Sequence, residues 1–198
     1  MAKVAVDFKS GKLAAERLPG LLFGPHEPHF GSGLLDGDTI YLYGQIPGGC
    51  NIGLAKVPKE SATNREAYKC WSGSRWCKTE VDKPTPVYSD MQQGAIVRST
   101  FFGTDTPYVF LGNNKWADSK IRIGRSKSPQ GPWKFFEVTQ VRGIDHPEDY
   151  MYCIYPHFWA PSDKEASLMV TWSEHFPGGV VAGELQFKFD RFDKKKES

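Results

Sequence analysis

One pattern is written three times along this chain. Each copy leads a strand of small and aromatic residues through a polar turn into a second strand rich in Tyr, Val, Phe and Leu. After a Gly-containing loop comes a third, alternating strand. The copies are FGSGLLDGDTIYLYGQIPGGCNIGLAKV from Phe30, GAIVRSTFFGTDTPYVFLGNNKWADSKIRIGRSKS from Gly94 and YPHFWAPSDKEASLMVTWSEHFPGGVVAGELQFKF from Tyr155. Their middle strands open near Ile40, Tyr108 and Leu168. Antiparallel units at intervals of about 60 to 70 residues read as blades of a β-propeller, larger than the roughly 40 to 50 residues of the commonest propeller repeats. The pattern predicts an all-β chain, a partial propeller of about three four-stranded antiparallel blades. It reads as a single domain over residues 1–198, with a lead-in at 1–27 and blades at 28–88, 89–148 and 149–192.

Composition removes several alternatives. A chain of 198 residues can bury a real core, and few of its stretches combine good helix formers at helical period. The net charge is +2, and the one dense basic run, Lys194-Lys195-Lys196, reads as a solvated tail, so no nucleic-acid partner is expected. No apolar run approaches the roughly 20 residues of a membrane span. The opening MAKVAVDFKSGKLAAERLPG lacks the apolar centre of a signal peptide, which predicts a soluble chain without an export signal. Cys70 and Cys77 bracket WSGSRW, and a hairpin there leaves two readings open, a disulfide or two buried free thiols. No C-x-x-C or H-x-x-x-H spacing and no nucleotide fingerprint occurs, so neither a metal nor a cofactor is expected.

Turn chemistry sets the coarse elements. A strand at Val4 to Phe8 with a turn at Ser10-Gly11, and a short strand at Leu21-Leu22-Phe23, make up the lead-in. Asp36-Gly37 is the strongest hairpin signal. Gly103 to Pro107 and Ser162 to Glu165 do the same work in the later copies. In the third strands, Ile52, Leu54 and Lys56 alternate with Gly53, Ala55 and Val57, and Ile121, Ile123 and Arg125 with Arg122, Gly124 and Ser126. Small residues on one face suit strands that neighbours approach closely. Trp71, Trp76 and Trp133 read as packing residues.

The segment IRIGRSKSPQGPW, Ile121 to Trp133, resembles the "alternating strand, Arg/Ala, Ser-Pro-x-Gly-Pro-Trp" signature of five-bladed propeller glycoside hydrolases. NIGLAKVPKE followed by YKCWSGSRW resembles a domain-of-unknown-function propeller family in which a strand ending Ala-Arg-Val-Pro precedes Tyr-x-x-Trp-x-Gly-x-x-Trp; here Lys56 stands where that family usually has Arg. The resemblance runs from about Phe30 to Phe189. That family includes endo-D-arabinanases and many secreted proteins, so it implies glycoside-hydrolase-like chemistry and, by resemblance alone, an extracellular setting. A five-bladed propeller of this blade size needs roughly 300 residues, whereas three blades are written here. Such enzymes set two carboxylates across the scissile bond, one usually from the first blade, so a missing blade would remove part of that machinery.

Propeller sites sit at the channel mouth, where the innermost strands start. By the pattern these starts are Glu27-Pro28-His29-Phe30, Asp90-Met91-Gln92-Gln93 and Tyr155-Pro156-His157. Glu27 and Asp90 are the candidate catalytic carboxylates, with turn formation as their structural alternative. His29 and His157 are placed to bond sugar hydroxyls or to tune a carboxylate pKa, and Gln92 and Gln93 offer amide donors and acceptors. Glu174 and His175 form a second candidate pair, with a solvent-exposed loop pair as their structural alternative, and Trp172 offers a surface for a sugar ring.

These residues predict a glycoside-hydrolase-like propeller acting on or binding furanose-containing polysaccharide. A non-catalytic carbohydrate-binding propeller and a small-molecule enzyme using the channel are the alternatives. The first and last of three blades would expose apolar side faces. The chain is therefore expected to form a homo-oligomer through them, or to fold Val4 to Phe23 over one.

Overall fold

The computed structural model describes residues 2–78, 84–91, 93–114, 118–143, 146–160, 166–175 and 178–188. Among them the regular elements are β-strands, apart from two 3-10 turns at Lys59–Ser61 and Arg65–Ala67. Every pairing is antiparallel, and no sheet closes on itself. The chain divides into two compact units, Met1–Asp90 with Pro129–Pro132, and Met91–Ser128 with Trp133–Ser198.

The first unit opens with a hairpin of β1 (Ala2–Asp7) and β2 (Lys12–Arg17), exposed along its whole length. Its turn forms as the sequence predicts. Asp7 Oδ1 accepts from the Lys9 backbone N–H at 2.9 Å, and Gly11 takes φ +67°. Val4, Val6 and Leu13 lie on one face of this ribbon, with Lys3 opposite Glu16 and Asp7 opposite Lys12 on the other.

The main sheet of this unit runs in the order β3 (His29–Asp36), β4 (Thr39–Gln45), β5 (Asn51–Pro58), β6 (Lys69–Trp71) and β7 (Trp76–Lys78). A two-residue strand, β8 (Tyr88–Ser89), pairs with the start of β5. Asp36-Gly37 joins β3 to β4, with Gly37 at φ +58°. The middle strand β5 is covered on both faces, because Ile52, Leu54, Ala55 and Val57 are all buried.

On one face Ala55, Val57, Tyr68 and Cys70 form a core to which Leu22, Phe23, Phe30, Ile40 and Leu42 are added. On the other, Tyr43 stacks with Tyr88 at 6.2 Å, and its hydroxyl donates to the Pro129 carbonyl at 2.9 Å. Leu21-Leu22-Phe23 is not the strand its sequence predicts. Leu22 and Phe23 both pack on this one core, whereas consecutive residues of a strand point to opposite faces. Of the segment expected to cover a blade face, these two residues lie on the sheet, while β1 and β2 stand exposed.

The second unit holds two sheets. One runs β9 (Gln93–Arg98), β10 (Tyr108–Asn113), β11 (Lys120–Ser126) and β12 (Lys134–Gln140), the four-stranded form expected of each copy. The other has three strands, β13 (Met151–Pro156), β14 (Ser167–Glu174) and β15 (Gly179–Gln186). The predicted turn at Ser162 to Glu165 lies outside the described residues.

Val109, Leu111, Ile121 and Ile123 from the first of these sheets meet Ile154, Leu168 and Val170 from the second. Phe101, Phe102 and Phe187 close one side as an edge-on trio with centroids 4.8–5.4 Å apart. Gly124 fulfils the reading of a small face, since a Cβ there would lie 2.4 Å from the Phe135 ring.

At the far end of β9 and β10, Gly94 and Gly112 face each other in register. A Cβ on Gly112 would lie 2.0 Å from the Gln93 carbonyl oxygen, and Gly94 holds φ +149°. Gly112→Ala is therefore expected to destabilise the protein by about 1–3 kcal/mol through overpacking against backbone. A lowered urea midpoint checks this, with Val4→Asp on the exposed hairpin as a near-neutral control.

Candidate functional site

The antiparallel order places the starts of β9, β11 and β13 and the ends of β10 and β14 at one end of the second unit. Two side-chain bonds hold these ends together. Gln93 Oε1 accepts from the Cys153 backbone N–H at 2.7 Å, and Ser119 Oγ accepts from the Met151 N–H at 2.8 Å. Both Cys153 (φ +53°) and Ser119 (φ +59°) are non-glycine residues in the left-handed region, a conformation held only where surroundings impose it. The β13–β14 register shifts between Tyr152 and Tyr155, so a bulge re-aims the chain at Cys153.

Asn113 ends β10 opposite Gln93. It is 0% exposed, and neither its Oδ1 nor its Nδ2 finds a partner among the described residues. A buried amide in that state costs about 1–3 kcal/mol. It marks a place where polar chemistry has been kept against stability.

Beside β13, Asp149 and His175 form a pair, with His175 Nδ1 3.1 Å from Asp149 Oδ2. The Tyr150 backbone N–H donates to Asp149 Oδ1 at 2.9 Å. The His175 ring stacks on Tyr150 with centroids 4.3 Å apart and planes 29° from parallel, and Tyr150 in turn lies 6.2 Å from Tyr152. Withdrawal from solvent raises the Asp149 pKa, but the Tyr150 N–H, the His175 ring and the nearby His146 outweigh it and hold the carboxyl below its ordinary 3.8. Glu174, the last residue of β14 and the register partner of Met151, is 7% exposed. Carboxylates, imidazole, amides and tyrosine rings at one end of a sheet pair can exchange protons and bind hydroxyl-rich ligands. Among the described residues no group of three or more His, Cys, Asp or Glu is arranged to hold a metal ion.

Of the residues singled out by sequence, Gln93, Glu174 and His175 thus lie at this one end. His157 does not. The inner strand of the third copy begins at Met151, four residues before the predicted start, so His157 follows its other end. There His157 Nε2 sits 2.9 Å from Thr171 Oγ1, edge-on to Tyr155 and Trp159. Trp172 lies within β14, packed against the core and over Gly183.

Glu27, His29 and Asp90 belong to the first unit. Glu27 accepts from the Gly24 N–H at 2.7 Å and pairs with the Arg65 guanidinium. His29 opens β3 and is exposed. Asp90 holds φ +67° and donates its N–H to the Cys50 carbonyl at 2.8 Å. Gln92 lies outside the described residues. An apolar hollow of about 330 Å³ between Phe23, Phe30 and Leu42 offers no chemical groups beyond Ser32. Sequence reasoning missed Asn113, Asp149 and Tyr150. The only available signal was the density of polar and aromatic groups in DHPEDYMY, before a strand opening at Met151.

The chain belongs to the DUF4185 family, a domain of unknown function, whose model matches residues 10–181. That match takes in both units, every strand described above except β1 and the last residues of β15, and all the residues of the polar end. No curated protein matches this DUF4185 chain.

Because the folded Asp149 pKa is lowered, its contribution to stability is complete above the ordinary value and is lost as pH falls through the folded one. His175→Ala is expected to move the Asp149 pKa up toward 3.8, read by NMR titration of the carboxyl carbon. Asp149→Asn is expected to flatten the acid-side fall of the urea midpoint.

Proposed function

We propose that this DUF4185 chain is a glycoside-hydrolase-like domain that binds and cleaves furanose-containing polysaccharide, its sheets serving as blades of a propeller. The observation that supports this is the polar end of the second unit. Sugar recognition needs paired donors and acceptors together with aromatic surface, and Gln93, Tyr150 and Tyr152 supply both kinds there. Hydrolysis of a glycosidic bond needs one carboxyl that gives a proton and one that stays ionised. Asp149, held ionised beside His175, suits the second role, and Glu174, which closes β14 opposite Met151, is the candidate for the first. Asp90 is the candidate carboxylate of the first unit.

A non-catalytic, sugar-binding reading has one observation in its favour. Both Glu27 carboxylate oxygens are engaged, one by Arg65 and one by the Gly24 N–H, which suits a residue that holds a turn.

The deciding assay measures reducing sugar released from arabinans and related furanose glycans, with binding measured on the same panel. Release that falls at least about a hundredfold in Glu174→Gln and Asp149→Asn is the expected result. Asp90→Asn and Glu27→Gln, tested alongside, show whether the first unit contributes. Binding without release would establish the second reading, and neither binding nor release would end both.

A further inference from the structure

Cys70 and Cys77 stand directly opposite each other on β6 and β7. The Ser72 N–H donates to the Arg75 carbonyl at 3.0 Å, so Gly73-Ser74 forms a two-residue loop, with Gly73 at φ +92°. Bonded and non-bonded pairs alternate along an antiparallel ladder. Ser72–Arg75 is bonded, Trp71–Trp76 is not, and Cys70–Cys77 is bonded again. A bonded pair holds its Cα atoms about 5.5 Å apart, inside the roughly 4.4–6.8 Å that a disulfide spans. Opposed residues also share a face. All four cysteines are free thiols in this structure, and Cys50 and Cys153 lie on other segments.

The position gives such a bond something to do. β6 and β7 have three residues each, at the end of the strand order, and β6 is held to β5 only at Ala55 and Lys56. Cys70 forms part of the core under Phe23 and Tyr68, so opening this hairpin would expose that core.

We propose that Cys70 and Cys77 are a redox-closable pair, joined as a disulfide by exchange with a low-molecular-weight disulfide such as oxidised glutathione. Cys77 is half-buried and Cys70 buried, so Cys77 reacts first. Burial also pushes the Cys70 thiol up, which makes it the slower of the two to form a thiolate. The Cys77 thiolate attacks one glutathione sulfur and expels a glutathione thiolate, leaving a mixed disulfide. The Cys70 thiolate then attacks the Cys77 sulfur and expels the second glutathione thiolate. Two protein thiols are oxidised, one glutathione disulfide is reduced, and the two thiol protons end on the two glutathiones.

Trypsin makes the test direct, because it cuts after Lys69, Arg75 and Lys78. The two cysteines therefore fall in separate peptides, 70–75 and 76–78, which stay together only through a disulfide. The full chain is equilibrated in glutathione buffers of graded ratio, alkylated, digested and weighed. Joined 70–75 and 76–78 peptides, whose fraction follows the ratio, are the expected result, with a higher melting midpoint for the oxidised protein. Cys77→Ser should lose both the joined peptides and the redox dependence of melting. Cys70→Ser, if it folds, should instead hold glutathione on Cys77. Separately alkylated peptides at every ratio, or Cys70 and Cys77 joined to Cys50 or Cys153, would overturn the proposal.

Discussion

The second unit depends on one apolar interlock, the face of β10 and β11 that meets the face of β13 and β14. Val109, Leu111, Ile121, Ile154 and Val170 are all at 0% exposure there. Burying a side chain of that size contributes about 1.5–3 kcal/mol. Alternation makes the interlock a constraint on register as well as on stability. A slip of one residue would replace Val109, Leu111 and Ile121 with Phe110, Gly112 and Arg122 on the buried face. With the register held, the start of β9 lies where Gln93 reaches the Cys153 N–H. The polar end is thus placed by apolar packing further along the same strands.

That end also stores the features that packing alone would not favour. Gly94 and Gly112 let two strands approach more closely than side chains would permit. Cys153 and Ser119 take left-handed conformations at a cost of about 1–3 kcal/mol each. Asn113 is buried without a partner among the described residues. These features share one end of the unit with the Asp149–His175 pair and the Tyr150 ring. Further along the same strands, apolar contacts hold the two sheets together. In the first unit the outer strands pack aromatic rings, with Trp71 and Trp76 5.3 Å apart and the Lys56 ammonium over the Trp76 ring.

Some elements could be read directly from residues. Asp36-Gly37 and Ser10-Gly11 carry their conformation in their own backbones, because glycine reaches positive φ without a Cβ penalty. The alternation in IRIGRS is a local record of which face meets the core, and Ile121 and Ile123 follow it, while Gly124 is buried on the opposite face against Phe135. Leu21-Leu22-Phe23 was misread because three apolar residues look alike whether they form a strand or lie irregularly on a sheet. The start of β13 was misplaced because MYCIYP is broken by a bulge, which disguises its period. Glu174 and His175 could be singled out as polar residues after the middle strand, but Asp149, the partner of His175, and Tyr150 stood in a stretch that composition marks only as a loop.

What the sequence determined by itself is the all-β class, the hairpins whose turns hold glycine, and the threefold writing of strand, turn and strand. These depend on φ preferences and on side-chain period, which act over a few residues. Only the tertiary structure decided that Gln93 meets Cys153 rather than His157, that Asp149 pairs with His175 across 26 positions, and that Glu27 answers to Arg65. Such pairings depend on which sheet faces which, and that is settled by the burial of distant apolar residues in common. No local pattern carries that information.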